Sequence, residues 1–582
     1  QRGVGTSTNG AGAFGASVNL MTNEYNPNAY LSLQNTAGSF NSFKNNLVFG
    51  SGLINNKFTF DGRVSSIRSD GFIDRANSDL KSFFLSSTYW GEKSSLRLNV
   101  FSGKERTYQA WYGVPQELLA TNRTFNPAGT EKADAPYENQ TDNYTQTHYQ
   151  LFYNEQINTN WKWNTAFFLT TGKGYYEEYK AGVDFADYNI DIKGKINVPA
   201  DLVRRRWLDN NFYGQITALS YVDSLNDLTI GGGWTVYDGL HFGTLPYLSQ
   251  TFAPANFRYY DNDAIKKERN SYVKWERKLS KQFKSFLDLQ YRYVSHQMNG
   301  FTRNTDLEIE RKFNFFNPKM GLTYQAKNIF YYTSVAVANK EPNRDDFEAS
   351  ATEQPRREQL VDWETGFELK KPKYAINANV YYMNYKDQLV LTGKINDVGA
   401  YTRTNVPKSY RAGLELQVKY AFNKKYNTSY SITFSQNKIE EFTEYIDDYD
   451  QFTQVAIQHK NTNIALSPSL ITNRTFNWKP NDKLSFFWTT KYTSKQFLDN
   501  TQNKDRQLDA FFINDLNAHW TILNKTKFTM LLQLYANNVL DVKYAPNGYT
   551  FSYIYDRTLT TSNNFYPMAG RNYWISLKID IK

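Results

Sequence analysis

Side-chain polarity in this chain alternates with a period of two over one segment of about ten residues after another, the pattern of strands with one apolar and one polar face. In the last such segment Tyr573, Ile575, Leu577, Ile579 and Ile581 fall on one face, and Asn572, Trp574, Ser576, Lys578 and Asp580 on the other. Phe58, Phe60 and Val64 oppose Lys57, Asp61 and Arg63; Leu96, Leu98 and Val100 oppose Arg97 and Asn99; Leu287, Leu289, Tyr291 and Tyr293 oppose Asp288, Gln290 and Arg292. A soluble sandwich alternates too, so the connections have to discriminate. They alternate between short and long, as they do where one barrel rim carries tight periplasmic turns and the other extracellular loops. The short set is 53–56, 91–94, 158–160, 223–227, 280–282, 326–328, 371–373, 423–427, 479–483 and 524–527. The long polar set includes 107–144, 175–208, 241–267, 341–358 and 444–463. Counting through predicts an all-β, transmembrane antiparallel β-barrel of about 22 strands, a size whose lumen is wide enough to need a plug. Closure leaves no unpaired edge in lipid.

Composition agrees with this and removes other classes. Aromatic residues make up 17% of the chain, with 44 Tyr and 41 Phe, while mean hydropathy is only -0.66. No run approaches the roughly 18 apolar residues of a spanning helix. In a barrel only alternate side chains meet lipid, so a polar average coexists with an apolar outer face. The absence of Cys excludes a disulfide scaffold and thiolate metal sites. Basic and acidic residues are mixed, 67 against 57, which reads as solvated loops rather than a nucleic-acid surface. His148, His241, His296, His459 and His519 are widely spaced, so no metal cluster, cofactor site or catalytic triad is expected, and the chain is not expected to be an enzyme. Gln1 to Thr22 reads as the interior of a domain, so the natural N-terminus is expected upstream.

Three blocks carry a family resemblance. The first is Gln1-Arg2-Gly3-Val4-Gly5 with Gly10-Ala11-Gly12-Ala13-Phe14-Gly15-Ala16-Ser17-Val18-Asn19-Leu20, whose glycines allow close approach of backbone to backbone. The second runs from Phe316-Asn317-Pro318-Lys319-Met320-Gly321 through Asn339-Lys340-Glu341-Pro342-Asn343-Arg344-Asp345-Asp346-Phe347 to Asp362-Trp363-Glu364-Thr365-Gly366, and continues at Arg411-Ala412-Gly413-Leu414-Glu415. The third is Asn537-Asn538-Val539-Leu540-Asp541 with Tyr566-Pro567-Met568-Ala569-Gly570-Arg571. In this order they resemble the TonB-dependent receptors of the bacterial outer membrane: the end of the plug, the mid-barrel signature and the last two strands. Members often end in an aromatic residue, whereas this chain ends Ile581-Lys582.

The resemblance implies residues 1–28 as the C-terminal remnant of a plug domain and 29–582 as the barrel. It further implies active import of a scarce, large nutrient, energised by the TonB complex acting through the N-terminal plug region, with outer-membrane lipids around the wall. Ferric siderophores are the commonest family cargo, and aromatic and basic residues suit them by stacking and charge. Trp111, Tyr112, Arg204, Arg205, Arg206, Trp207, Arg258, Tyr259 and Tyr260 are therefore the candidate ligand contacts, expected on extracellular loops. Asn343, Arg344, Glu364 and Glu415 are the candidate lumen or plug contacts. Two other readings stand beside this one: an oligosaccharide or peptide importer working with a surface lipoprotein, and a structural barrel subunit of an envelope assembly.

Overall fold

The computed structural model describes residues 3–9, 14, 25–191, 199–249, 253–301, 304–348, 354–395 and 401–582. Most of the first family-like block, including residues 10–13 and 15–20, lies outside the described residues. Each barrel strand pairs antiparallel with the next, beginning at Ala29–Gly38, and the sheet closes with 22 strands. The seam joins the first strand to the last, Asn572–Ile581, in continuous register from Leu31 opposite Ile581 to Gly38 opposite Trp574.

The alternation has the orientation that lipid demands. Leu96, Leu98, Tyr573, Ile575 and Ile581 are exposed on the outer face, while Asp288, Gln290 and Arg292 are buried inside. Every short connection falls between consecutive strands, and several are closed by one polar side chain. The Asn423 side-chain oxygen accepts from the backbone N–H groups of Lys425 (2.8 Å) and Tyr426 (3.1 Å), and Asn481 does the same for Lys483 and Leu484. Such Asx turns substitute a side-chain acceptor for a backbone one. Asp223 accepts from Leu225 (2.7 Å) and Asn226 (2.6 Å), and the Leu225 N–H, followed by the Asn226 side chain and N–H, holds its carboxyl down at about 2. Its folded pKa lies below the ordinary Asp value, so the turn's contribution is complete above about pH 4 and is lost as pH falls towards about 2. Amide exchange at Leu225 and Asn226 is expected to stay slow at pH 4, relative to a D223A variant, and to converge with it near pH 2.

The third family-like block is also a turn. Asn538 takes a left-handed conformation (φ 46°), its side chain donating to Val542 O and accepting from Val542 N, and its N–H donating to Asp515 (2.7 Å).

Three of the expected loops are mostly strand. Region 175–208 contains the upper halves of Trp161–Val183 and Ala200–Val222, joined through a short helix at Phe185–Tyr188. Region 241–267 contains the ends of Asn226–Leu248 and Phe257–Lys278, and 444–463 is a hairpin between Tyr426–Asp448 and Thr453–Asn463. These strands continue beyond the lipid, where neither face has to be apolar. The connections 107–144 and 341–358 are mainly irregular, with a short helix at Arg344–Glu348 in the second.

Candidate functional site

Two regions bring the candidate residues together: the extracellular ends of the tall strands and the wall of the lumen. In Trp161–Val183, Trp163, Phe167 and Leu169 point outward. Pairing with Ala200–Val222 runs without a shift from Trp161 to Lys180, so Tyr176 and Glu178 point inward, together with their partners Arg206 and Arg204. Tyr175 and Glu177 point outward with Trp207 and Arg205. The strand period therefore divides the Arg204 to Trp207 cluster between two faces, where a loop reading would have offered all four residues to one ligand.

On the inner face Arg204 pairs with Glu178 at 2.8 Å and donates to the Tyr188 hydroxyl at 3.2 Å. Arg206 donates to the Tyr176 hydroxyl at 3.0 Å, and Trp111 meets the Tyr176 ring edge-on at 5.3 Å. Tyr259 contacts Tyr188 and Tyr260, with centroids 5.0 and 4.9 Å apart. Tyr188, Tyr259 and Tyr260 are themselves buried in a small apolar core with Phe185, Ala200, Leu202 and Leu245, which fixes their positions. Trp111 and Tyr112 are held through their carbonyls, which accept from the hydroxyls of Tyr566 (2.6 Å) and Tyr549 (2.7 Å).

On the outer face Arg205 lies 2.6 Å from Glu177 and over the Tyr175 ring. Glu177 is buried and also accepts from Tyr137 at 2.7 Å and from Asn139. Burial, and then this carboxylate, push the Tyr137 phenol well above its ordinary value. Trp207 stacks on Phe242, and Arg258 lies over the Phe242 ring at 3.9 Å while pairing with Asp261. This group fastens loop 107–144 and the strands to one another. Sequence reading did not single out Tyr176, Glu177 or Glu178; their register opposite three consecutive arginines identifies them only once the strands are paired.

In the mid-barrel wall an amide ladder crosses neighbouring strands. Asn317 donates to Gln290 (2.9 Å), Asn339 to Asn317 (3.0 Å) and Gln359 to Asn339 (3.2 Å). Above it Arg292 forms a bidentate pair with Glu268 (3.1 Å for each bond) and reaches Glu341 at 3.3 Å, which also binds Lys266 at 2.6 Å. Burial acts to raise the Glu341 pKa, but the Arg292 and Lys266 charges outweigh it and hold the carboxyl at about 2. Part of the mid-barrel block, Asn317, Asn339 and Glu341, thus fastens loop 341–358 onto the wall. Asp346 accepts from Arg403 Nε and Nη2 (2.9 and 2.6 Å) and from the Asn343 N–H (2.6 Å), while Phe347 is fully buried. Arg344 lies over Phe301 and donates to Gly300 O, so Asn343 and Arg344 build the loop. Glu364 and Glu415 do project inward, on the faces opposite exposed Trp363 and Leu414.

Sequence reading also gave no reason to choose Asp288, Lys319 or Asp362, which hold the N-terminal segment. Val4 N donates to Asp362 (3.1 Å), Lys319 donates to Val4 O (2.7 Å), and Asp288 accepts from Ser7 N (2.9 Å) and from its hydroxyl. Gly3 has φ 66°, and a Cβ there would collide with the Asp362 carboxylate, so this approach requires glycine.

The family described as "TonB dependent receptor-like, beta-barrel" matches residues 89–539. No curated protein sequence matches the chain. Among solved structures it is similar to the closed form of the ferric-catecholate import receptor Fiu from E. coli K12, at TM-score 0.73 and 13% identity, covering 100% of this chain and 85% of that one. The siderophore receptor PiuA from Acinetobacter baumannii gives the same four values. The ferric yersiniabactin uptake receptor FyuA from Yersinia pestis gives TM-score 0.72 at 11% identity, over 100% of this chain and 84% of that one.

Proposed function

The chain belongs to the TonB-dependent receptors, transporters of the bacterial outer membrane that work with TonB, and on that premise we propose that its cargo is a ferric siderophore complex. The observation that carries this reading is the inward group of Trp111, Tyr176 and Arg206 at the extracellular mouth, backed by the buried Tyr259 and Tyr260. Guanidinium and phenol groups there offer charge, hydrogen bonds and ring faces to an anionic complex. The proteins named above as ferric-complex and siderophore receptors share the fold. Residues 1–28 are, in this reading, the closing part of the plug. The grip of Asp288, Lys319 and Asp362 on Val4 and Ser7 supports that assignment, because it docks the segment against the lumen wall. TonB would act through the plug, loosening such contacts so that cargo passes.

The test is a panel titration. Full-length protein, followed by tryptophan fluorescence, is expected to bind one class of ferric siderophore at micromolar concentration or below and to ignore the iron-free forms and neutral oligosaccharides. Saturable binding of a glycan or peptide alone would reject the assignment.

One observation favours a second reading, an importer that works with a surface lipoprotein. The tip of the Tyr426–Asp448 and Thr453–Asn463 hairpin carries Phe452 at 90% exposure, with Tyr449 and Tyr555 also largely exposed. Exposed aromatic groups clustered on two adjoining extracellular hairpins suit a protein partner. Co-purification of a lipoprotein that is lost on F452A would support this reading.

A further inference from the structure

The outer face of the wall carries a row of basic residues at the extracellular edge of its apolar band. Cross-strand register runs from Ser66 to Lys81, Lys104, Thr145, Lys173 and Asp209, each directly opposite the next. All of these share the outward side with exposed Val64, Phe83, Leu85, Tyr149 and Leu169. One step nearer the extracellular end, Arg68, Asp79 and Arg106 form a second row. Lys104 stands ten residues above the turn at Ser94, a rise of about 25 Å at ordinary strand tilt, which is the height of an outer-membrane apolar band.

The charges in this patch do not balance. Arg68, Lys81, Lys104, Arg106 and Lys173 face Asp79 and Asp209, five cations against two carboxylates. Asp79 lies 3.7 Å from Arg68 and 3.3 Å from Lys81, and Asp209 lies 2.7 Å from Lys173. Arg106 donates to the neutral Asn139 side chain, and Lys104 has no carboxylate partner among the described residues. Lys81 and Lys104 are direct cross-strand neighbours, a like-charge pairing that an anion would relieve, and of the two only Lys81 is paired with Asp79 among the described residues. Cations at the rim of an apolar surface match a molecule with a phosphorylated head and acyl chains.

We propose that this surface binds a phosphorylated, acylated lipid of the outer leaflet, its phosphate between Lys81, Lys104 and Lys173 and its acyl chains along Phe83, Leu85, Tyr149 and Leu169. The assignment uses the outer-membrane placement of the barrel and is independent of the cargo.

The test uses full-length protein in detergent micelles, titrated with diphosphorylated lipid A, with the same lipid after removal of its phosphates, and with inorganic phosphate. Lipid A affinity is expected to fall on the order of 100-fold in K81Q/K104Q/K173Q, and to be retained in K81R/K104R/K173R. Dephosphorylated lipid is expected to bind as weakly to the wild type as lipid A does to the glutamine variant, and inorganic phosphate at equal concentration not to compete. Heat-modifiable gel migration checks that each variant is folded. Equal lipid A binding by a folded glutamine variant would overturn the proposal, as would equal binding of the dephosphorylated lipid. Displacement by inorganic phosphate would overturn it too, by reducing the surface to a site for the free anion.

Discussion

Replacing Arg506 with methionine is expected to release the extracellular loops from one another while leaving the barrel closed. Arg506 is almost fully buried and reaches three segments at once: Glu444 at 2.6 Å on the Tyr426–Asp448 strand, Asp499 at 2.7 Å on its own loop, and the Ser552 hydroxyl at 2.8 Å on the Gly548–Tyr555 hairpin. His459 shares Glu444 at 3.0 Å, and Leu498, Leu508 and Phe565 pack beside the group. Removing one partner from a buried ionic network costs about 3–5 kcal/mol, because the remaining charges stay desolvated and uncompensated. The expected result is at least about 100-fold faster amide exchange across residues 494–510 and 548–565, with the strand amides unchanged. R506K should fall between, since one ammonium cannot reproduce the planar fork. Loop protection equal to the wild type in R506M would show that the apolar cluster alone fastens these segments.

The second large effect concerns the two faces of the tall strands. If a ferric siderophore meets the inward cluster, W111A and R206A are each expected to weaken its binding by about 30-fold, the loss typical of an aromatic or arginine anchor. R258A should change affinity by no more than about threefold, because Arg258 lies on the outer surface over Phe242, where its pair with Asp261 is half exposed. Titration of all three variants with the same ferric complex decides the matter. A loss confined to R258A would place the ligand outside the barrel wall and end the inward assignment.

Legibility from sequence followed the lipid boundary. Within the membrane one face of every strand has to be apolar, so ladders such as Leu96, Leu98 and Val100, together with short connections such as 423–427, report the strand order, the turn side and the closed barrel from sequence alone. Above the membrane that requirement ends. Arg204, Arg205, Arg206 and Trp207 carry no alternation of polarity, yet they occupy a strand paired residue by residue with Glu178, Glu177, Tyr176 and Tyr175. Their polarity resembled a loop because both faces there are clothed by other loops and by carboxylates. Asp288, Lys319 and Asp362 were missed for another reason: a lumen-facing charge is unremarkable in sequence until the segment it grips is known.

The seam between Ala29–Gly38 and Asn572–Ile581 has a consequence for biogenesis. Because the opening strand is completed only by the closing one, an edge of bare amide and carbonyl groups persists while everything between them is laid down. Hydrocarbon offers such groups no substitute partner. Insertion therefore has to proceed with that margin sheltered by a host protein and zipped shut at the last step, so lesions in the final hairpin should arrest the molecule as an unfinished, host-bound sheet.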